Sequence, residues 1–418
     1  MSYNSHARRR SFGGNSRFRS NNRNKTRNMV KGRGQYIDPA KFVREATFTE
    51  EEKYESTHNF TDFNAHQLIK DNLHAKGYEV PSPIQDQTIP LGLEGRDVIG
   101  IANTGTGKTA AFSVPVLNKL LKNPHSKALI VAPTRELAQQ IESEMRSIAK
   151  NSGLFGVLLI GGTPMGPQLR DLRLKPRVVI GTPGRIKDHL ERGTLHLSTF
   201  DQVVLDEVDR MLDMGFLPDM QFILDNLKSP RQSFFFSATM DDRVRKLIST
   251  FSNDPVTVSV KTGDTSDNVH QNVVHFSDKN DKIEKLHEAL VSDNVKKVII
   301  FDETQRNVER LNQELASRGF ATDAIHGGKS QGQRQRALHK FKKSDIDILV
   351  ATDVAARGID VSDITHVINY AIPQTYEDYT HRVGRAGRAG KNWICPYFRF
   401  TVAFKKFHNC ISIFDICR

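Results

Sequence analysis

The sequence predicts an α/β protein of two tandem parallel-sheet domains, on three observations. Short apolar, β-branched runs alternate with segments of helical length, the alternation stops at a polar stretch containing Pro and Gly, and it then restarts. A strand buried on both faces reads as a continuous apolar run, and joining such strands through helices gives a parallel sheet covered on both sides. In the first unit strands are expected at 97–101 (DVIGI), 127–132 (KALIVA), 177–181 (RVVIG), 202–207 (QVVLDE) and 233–238 (SFFFSA), with helices at 108–121 and 135–150 among them. The stretch SNDPVTVSVKTGDTSDN reads as the boundary. Strands resume at 296–301 (KKVIIF), 319–325 (GFATDAI), 345–352 (DIDILVAT) and 365–370 (THVINY). The expected organisation is a basic tail at 1–58, a first domain at 59–255, a linker at 256–270, a second domain at 271–391 and a C-terminal tail at 392–418.

Hydrophobic residues at 38% and charged residues at 26% exclude collagen-like and wholly disordered chains. No apolar run approaches the roughly 18 residues that cross a bilayer, and the N-terminus lacks the apolar core of a secretory signal, so a soluble, cytoplasmic protein is expected. The three cysteines, Cys395, Cys410 and Cys417, show no CxxC spacing, which leaves the body without a disulfide framework or a zinc-type cluster. The charge is +12, and residues 1–37 carry +10 of it as eight Arg and two Lys without an acid. This Ser/Asn/Gly/Arg-rich arm cannot bury enough apolar surface to fold and reads as disordered. Tyr3, Phe12, Phe18 and Tyr36 are interleaved with its cations, which fits phosphate neutralisation plus base stacking on a single strand. A solvated, solubilising arm is the alternative reading. An organelle transit peptide is a third, weakened because no Leu or Ile precedes Ile37 to build an amphipathic face.

The strongest chemical signal follows the first strand, where ANTGTGKT (102–109) opens a helix. Gly105 and Gly107, beside Thr104 and Thr106, let backbone N–H groups turn toward phosphate. Lys108 can reach the β and γ phosphates, and Thr109 can offer a hydroxyl to Mg²⁺. Ala102 stands where the general pattern has Gly. About a hundred residues on, QVVLDEVDR ends another strand with acids. Asp206 suits Mg²⁺ partly through water, and Glu207 can act as general base on the attacking water. Taken alone, such acids could merely cap the next helix.

With these motifs in order, residues 60–391 resemble the DEAD-box family of ATP-dependent RNA helicases. The resemblance implies two RecA-like domains with an ATP cleft between them, and ATP and Mg²⁺ as cofactors. GYEVPSPIQ (77–85), with Phe60 upstream, is similar to the family's Q motif, in which Gln85 reads the adenine edge and Phe60 stacks on the base. Pro133, Thr134 and Arg135, Gly161 and Gly162, and Thr182, Pro183, Gly184 and Arg185 resemble the first-domain elements that hold the RNA sugar-phosphate backbone. Ser237, Ala238 and Thr239 resemble the element coupling the ATP site to strand separation. In the second domain, Gln331 and Arg334 match an RNA-facing stretch, and TDVAARGID resembles the motif whose Thr352 touches RNA and whose Asp360 touches the ribose. HRVGRAGR resembles the arginine-finger motif, with Arg385 and Arg388 stabilising charge on the γ-phosphate and His381 coupling that site to the acids and to Ser237–Thr239. The implied partners are single-stranded RNA and short RNA duplexes, and the implied activity is RNA-stimulated ATP hydrolysis coupled to local unwinding or ribonucleoprotein remodelling. An ATP-gated RNA clamp and a DNA-directed helicase of the same fold are the alternatives.

Two departures stand out. Val208 gives DEVD, keeping Asp206, Glu207 and Asp209 as metal and water groups while adding bulk to the third position. After Lys391 the chain carries seven aromatics between Trp393 and Phe414 and all the cysteines. That segment is expected to be foreign to the fold and to pack poorly. A diverged but working last strand at 393–404 is the alternative, with Pro396 unable to donate in a central ladder.

Overall fold

The apolar runs become strands whose carboxyl ends share one edge of each sheet. The computed structural model describes residues 54–103, 105–260, 269–292, 295–356, 361, 363–373, 375–384 and 393–400. In the first domain the strands are β1 (Val98–Ile101), β2 (Ala128–Val131), β3 (Gly156–Leu159), β4 (Val178–Gly181), β5 (Gln202–Leu205), β6 (Gln232–Ser237) and β7 (Val256–Ser259). All pairings are parallel, in the order β3-β4-β2-β5-β6-β1-β7. Successive side chains leave opposite faces of a strand, so Phe234 and Phe236 enter one core with Phe112 and Ile130, while Phe235 enters the other with Val131 and Leu205. The second domain holds β8 (Val269–Phe276), β9 (Val298–Phe301), β10 (Thr322–Ile325), β11 (Ile348–Ala351), β12 (His366–Asn369) and β13 (Trp393–Phe400). These are again parallel, in the order β10-β11-β9-β12-β13-β8. Among the described residues, no helix is long and apolar enough to cross a membrane.

Two expected boundaries shift. The linker expected at 256–270 begins inside β7, which pairs with β1 from Val98↔Val256 to Ile101↔Ser259, and its last two residues belong to β8. An edge strand needs only one covered side, so VTVS buries Val258 and exposes Thr257 and Ser259, without the continuous apolar run of a central strand. At the other end the first domain reaches back before residue 59, because Tyr54 and Thr57 bond to Asp86.

The tail expected at 392–418 is corrected over part of its length. Trp393–Phe400 forms β13 between β12 and β8, in register with β8 from Trp393↔Val269 to Phe400↔Phe276. Its pairing with β12 falls at His366↔Ile394 and Asn369↔Tyr397, on either side of Pro396, which has no N–H to donate. Four aromatics and Ile394 among these eight residues supply enough strand propensity for a strand paired on both sides. The basic arm through residue 53 and the segment 401–418 lie outside the described residues.

Candidate active site

Because β5, β6 and β1 are neighbours, the loops leaving their carboxyl ends converge, which is where open parallel sheets bind ligands. After β1 the chain turns through Gly105 and Gly107, both with positive φ (86° and 90°), and enters the helix Lys108–Lys122. A side chain at Gly107 is excluded twice, by its φ and by Gln85, whose Nε2 occupies the space a Cβ would need. Lys108 is buried and donates to the Ala102 carbonyl at 3.0 Å. Thr109 follows it in the first helical turn.

Asp206 and Glu207 leave β5 into the same crevice, and both are buried. Burial pushes the Asp206 carboxyl up to about 6, although Lys108 pulls it down; Glu207 and Asp209 add to the rise. Glu207 adopts the left-handed conformation (φ 53°, ψ 55°) and opens the short helix Val208–Asp213. Arg210 Nη1 donates to Glu207 Oε2 at 2.7 Å, in a pair whose side chains are 3% and 8% exposed. Asp209 points the other way. Its Oδ2 accepts from the Ala238 and Thr239 N–H groups at 2.9 and 2.8 Å and from the Thr239 hydroxyl at 3.1 Å, while its own N–H donates to Ser237 Oγ at 3.2 Å. Asp209 therefore holds residues 237–239 rather than serving as a metal or water group. Val208 sits fully buried in the apolar core with Leu205 and Met211, which is why extra bulk there leaves the acids in place.

Arg210 also lines a small cavity with Phe301, Asp353, Asp378, His381 and Arg382 of the second domain. Arg382 makes a fork onto Asp353, with Nε to Oδ1 at 2.6 Å and Nη2 to Oδ2 at 2.8 Å, and Nη1 donates to Asn369 and to the Ala371 carbonyl.

The other loops of the first sheet build a second surface. Thr134 caps the helix Arg135–Ile148 by accepting the Leu137 N–H at 3.3 Å, just after Pro133. Arg135 then lies over Gly161 and Gly162. A Cβ at Gly162, where φ is +72°, would collide with Arg135 Nη1. Thr182, Pro183 and Gly184 lead into the helix Pro183–Glu191, and Arg185 Nη1 donates to the Thr163 carbonyl at 3.3 Å. From the second domain Arg334 Nη2 reaches Glu136 Oε2 at 2.9 Å, and Gln331 Nε2 reaches Gln139 Oε1 at 3.2 Å. Burial pushes the Arg135 guanidinium down, as does Arg334 nearby, against the pull of Glu136. Arg334 is thus paired with Glu136, and Arg135 lies within the electrostatic reach of both. Thr352 is buried at the end of β11, and its carbonyl starts the turn at Asp353–Ala356.

The DEAD/DEAH box helicase family matches residues 82–247, and the helicase conserved C-terminal domain matches residues 281–390. The DEAD-box ATP-dependent RNA helicase CshA of Geobacillus kaustophilus is 45% identical over 341 residues, spanning 81% of this chain and 73% of that protein. The chain belongs to the DEAD-box family. The ATP-dependent RNA helicase CshA of Listeria monocytogenes is 44% identical over 81% of this chain, which spans 65% of that relative's length. Among solved structures, the DEAD-box chain is similar to Mss116p bound to ssRNA and AMP-PNP, at 31% identity and a TM-score of 0.75 over 83% of this chain and 76% of that one. It is also similar to S. cerevisiae Dbp5 bound to RNA and ADP BeF3, at 28% identity and a TM-score of 0.73 over 82% and 90%.

Against the DEAD-box expectations, the structure brings Lys108, Thr109, Asp206 and Glu207 together after β1 and β5, and Arg135, Gly161, Gly162 and Arg185 together after β2, β3 and β4 on the same sheet edge, with Gln331 and Arg334 reaching the helix Arg135–Ile148. Gln85 and Phe60 are both engaged within the protein. Both side-chain ends of Gln85 are engaged within the protein, Nε2 on the Gly107 carbonyl and Oε1 on the Ser82 N–H. Phe60 is buried edge-on against Phe63 and Tyr78. Thr104, Asp360, Arg385 and Arg388 lie outside the described residues. Sequence reading missed Arg210, Glu136, Asp353 and Arg382. Each follows or neighbours a recognised residue, and the available signal was a charge that no solvated face would require.

Proposed function

We propose that this chain is an RNA-dependent ATPase that couples ATP turnover to opening short RNA duplexes or remodelling ribonucleoprotein. One observation carries the reading. The short helix Val208–Asp213 follows directly on the acids of the ATP crevice, bonds residues 237–239 through Asp209, and reaches the second domain's cavity through Arg210. A change at the nucleotide is thereby tied to the domain contact by one rigid element.

In this reading Lys108 holds the β and γ phosphates of ATP, and Glu207 orients and deprotonates the attacking water while Arg210 fixes its carboxylate. Arg385 and Arg388 complete the γ-phosphate site when the domains close, and Asp360 holds the ribose. His381, lining the cavity with Arg210, links the finger motif to the acids. The residues fit Mg²⁺: Asp206 is a buried carboxylate lacking full charge compensation, and Thr109 is close in sequence to Lys108. Among the described residues no three His, Cys, Asp or Glu side chains form a metal cage, as suits an ion held mainly by phosphates and water. When bound, Mg²⁺ would neutralise phosphate charge. RNA is gripped through sugar and phosphate by Pro133–Arg135, Gly161, Gly162, Thr182–Arg185, Gln331, Arg334 and Thr352, so sequence preference is weak. The excess of guanidinium over carboxylate around Glu136 supports that assignment. Steady-state ATPase assays with RNA test the whole. Lys108→Ala should abolish nucleotide use, and Glu207→Gln should keep ATP binding, lose turnover and linger on RNA. Near-normal turnover in Glu207→Gln would remove Glu207 as the base.

A further inference from the structure

Upstream of the first helix, three donors converge on one buried carboxylate. The Tyr54 hydroxyl donates to Asp86 Oδ2 at 2.6 Å, the Thr57 N–H to the same oxygen at 2.8 Å, and His58 Nδ1 to Asp86 Oδ1 at 2.7 Å. Asp86 is 3% exposed, whereas Tyr54 is 43% exposed, so the donors fold in from outside to cover it. Burial alone would raise the Asp86 carboxyl, yet the bonds from Tyr54, Thr57 and His58 hold it below its usual value. The carboxylate is charged and its acceptor sites are in use.

Asp86 lies in the first turn of the helix Pro83–Leu93, and the same turn grips the glycine-rich loop. Ser82 Oγ donates to the Thr106 carbonyl at 2.7 Å and Gln85 Nε2 to the Gly107 carbonyl at 3.0 Å. Holding those two carbonyls constrains the peptide planes of the loop, and with them the N–H groups that would face phosphate. One helical turn is thus clasped on one side by residues 54–58 and braces the phosphate loop on the other.

We propose that Asp86 is a positioning residue for nucleotide binding: by fastening residues 54–58 over the start of the Pro83–Leu93 helix, it holds Ser82 and Gln85 against the loop 102–109 and so sets ATP affinity. The inference rests on reading 102–109 as the triphosphate cradle. The Asp86 oxygens are taken up by protein donors. Its loss should therefore act on the preorganisation of the loop and leave the chemical step alone.

The test is RNA-stimulated ATPase of the full chain at saturating RNA with ATP varied, alongside thermal unfolding. Asp86→Asn keeps the shape and removes the charge that accepts three donors. It should raise KM for ATP about tenfold, within the usual range of coupling between sites, with kcat unchanged and the unfolding midpoint little moved. The double variant Tyr54→Phe/His58→Ala removes two donors from the other side and should raise KM in the same way. Combined with Asp86→Asn it should add almost nothing, since both changes break one clasp. An unchanged KM in Asp86→Asn, a fall in kcat without a rise in KM, or additive effects in the combined variant would each overturn the proposal. Lys108→Ala, run in parallel, separates the two readings: normal ATP affinity there would strike the cradle rather than the clasp.

Discussion

Replacing Arg334 by Ala removes the charged bond that joins the second domain to the helix Arg135–Ile148. Arg334 Nη2 and Glu136 Oε2 are 2.9 Å apart, with the side chains 9% and 3% exposed. Groups joined in one ion pair couple by about 0.5–3 kcal/mol. At about 1.4 kcal/mol per factor of ten, the equilibrium holding the domains together should weaken about 2- to 150-fold. The loss falls on domain closure rather than on folding, because both groups regain water when the domains part and neither is stranded in the interior. In an RNA-stimulated ATPase titration, the RNA concentration for half-maximal rate should rise by that factor, while ATP binding without RNA and thermal unfolding stay as they were. Glu136→Gln, which keeps the shape and removes the charge, should shift the titration the same way. The double variant should be little worse than either single one, since pair energies do not add. Near-normal half-saturation in Glu136→Gln beside a large shift in Arg334→Ala would refute this reasoning, because Arg334 would then act through RNA alone and the pair would contribute nothing.

Two further outcomes follow from the charges. Burial raises the Asp206 carboxyl to about 6, above the roughly 3.9 of an unfolded Asp, so between those values the folded chain binds the extra proton. Stability from this group is complete below about pH 4 and is lost as pH rises through about 6. Asp206→Asn should therefore raise the unfolding midpoint more near neutrality than near pH 4 while ending ATP turnover, and a pH-independent gain in calorimetry would remove burial as the cause. Deleting residues 1–37, with their ten cations, should flatten the slope of log RNA affinity against log salt by about 0.7 for each phosphate that the arm neutralises. Parallel salt lines for the full and shortened chains would leave the arm with a solubilising role only.

The sequence by itself determined the elements whose physics is local. Central parallel strands announce themselves because burial on both faces demands apolar residues at every position, and VIGI, ALIV, VVIG and QVVL are read correctly to within a residue or two. The glycine-rich turn before Lys108 is equally legible, since positive φ at Gly105 and Gly107 is a backbone requirement carried by the residue itself. Edge strands are not legible in this way: β7 buries one side only, so its mixed pattern passed as linker, together with the first two residues of β8. The strand Trp393–Phe400 stood in the sequence only as the alternative to a foreign tail, and its pairing with β8 and β12 decided between them, because an unusual sequence is tolerated wherever the ladder closes. Tertiary structure alone also decided partners. Nothing in DEVD says that Asp206 faces the crevice while Asp209 turns to Ala238 and Thr239, or that Arg210 pairs with Glu207. Nor does PSPIQD show that Asp86 would collect Tyr54, Thr57 and His58. These choices depend on which strand ends become neighbours, and a buried charge is stable only beside the partner that the fold happens to deliver.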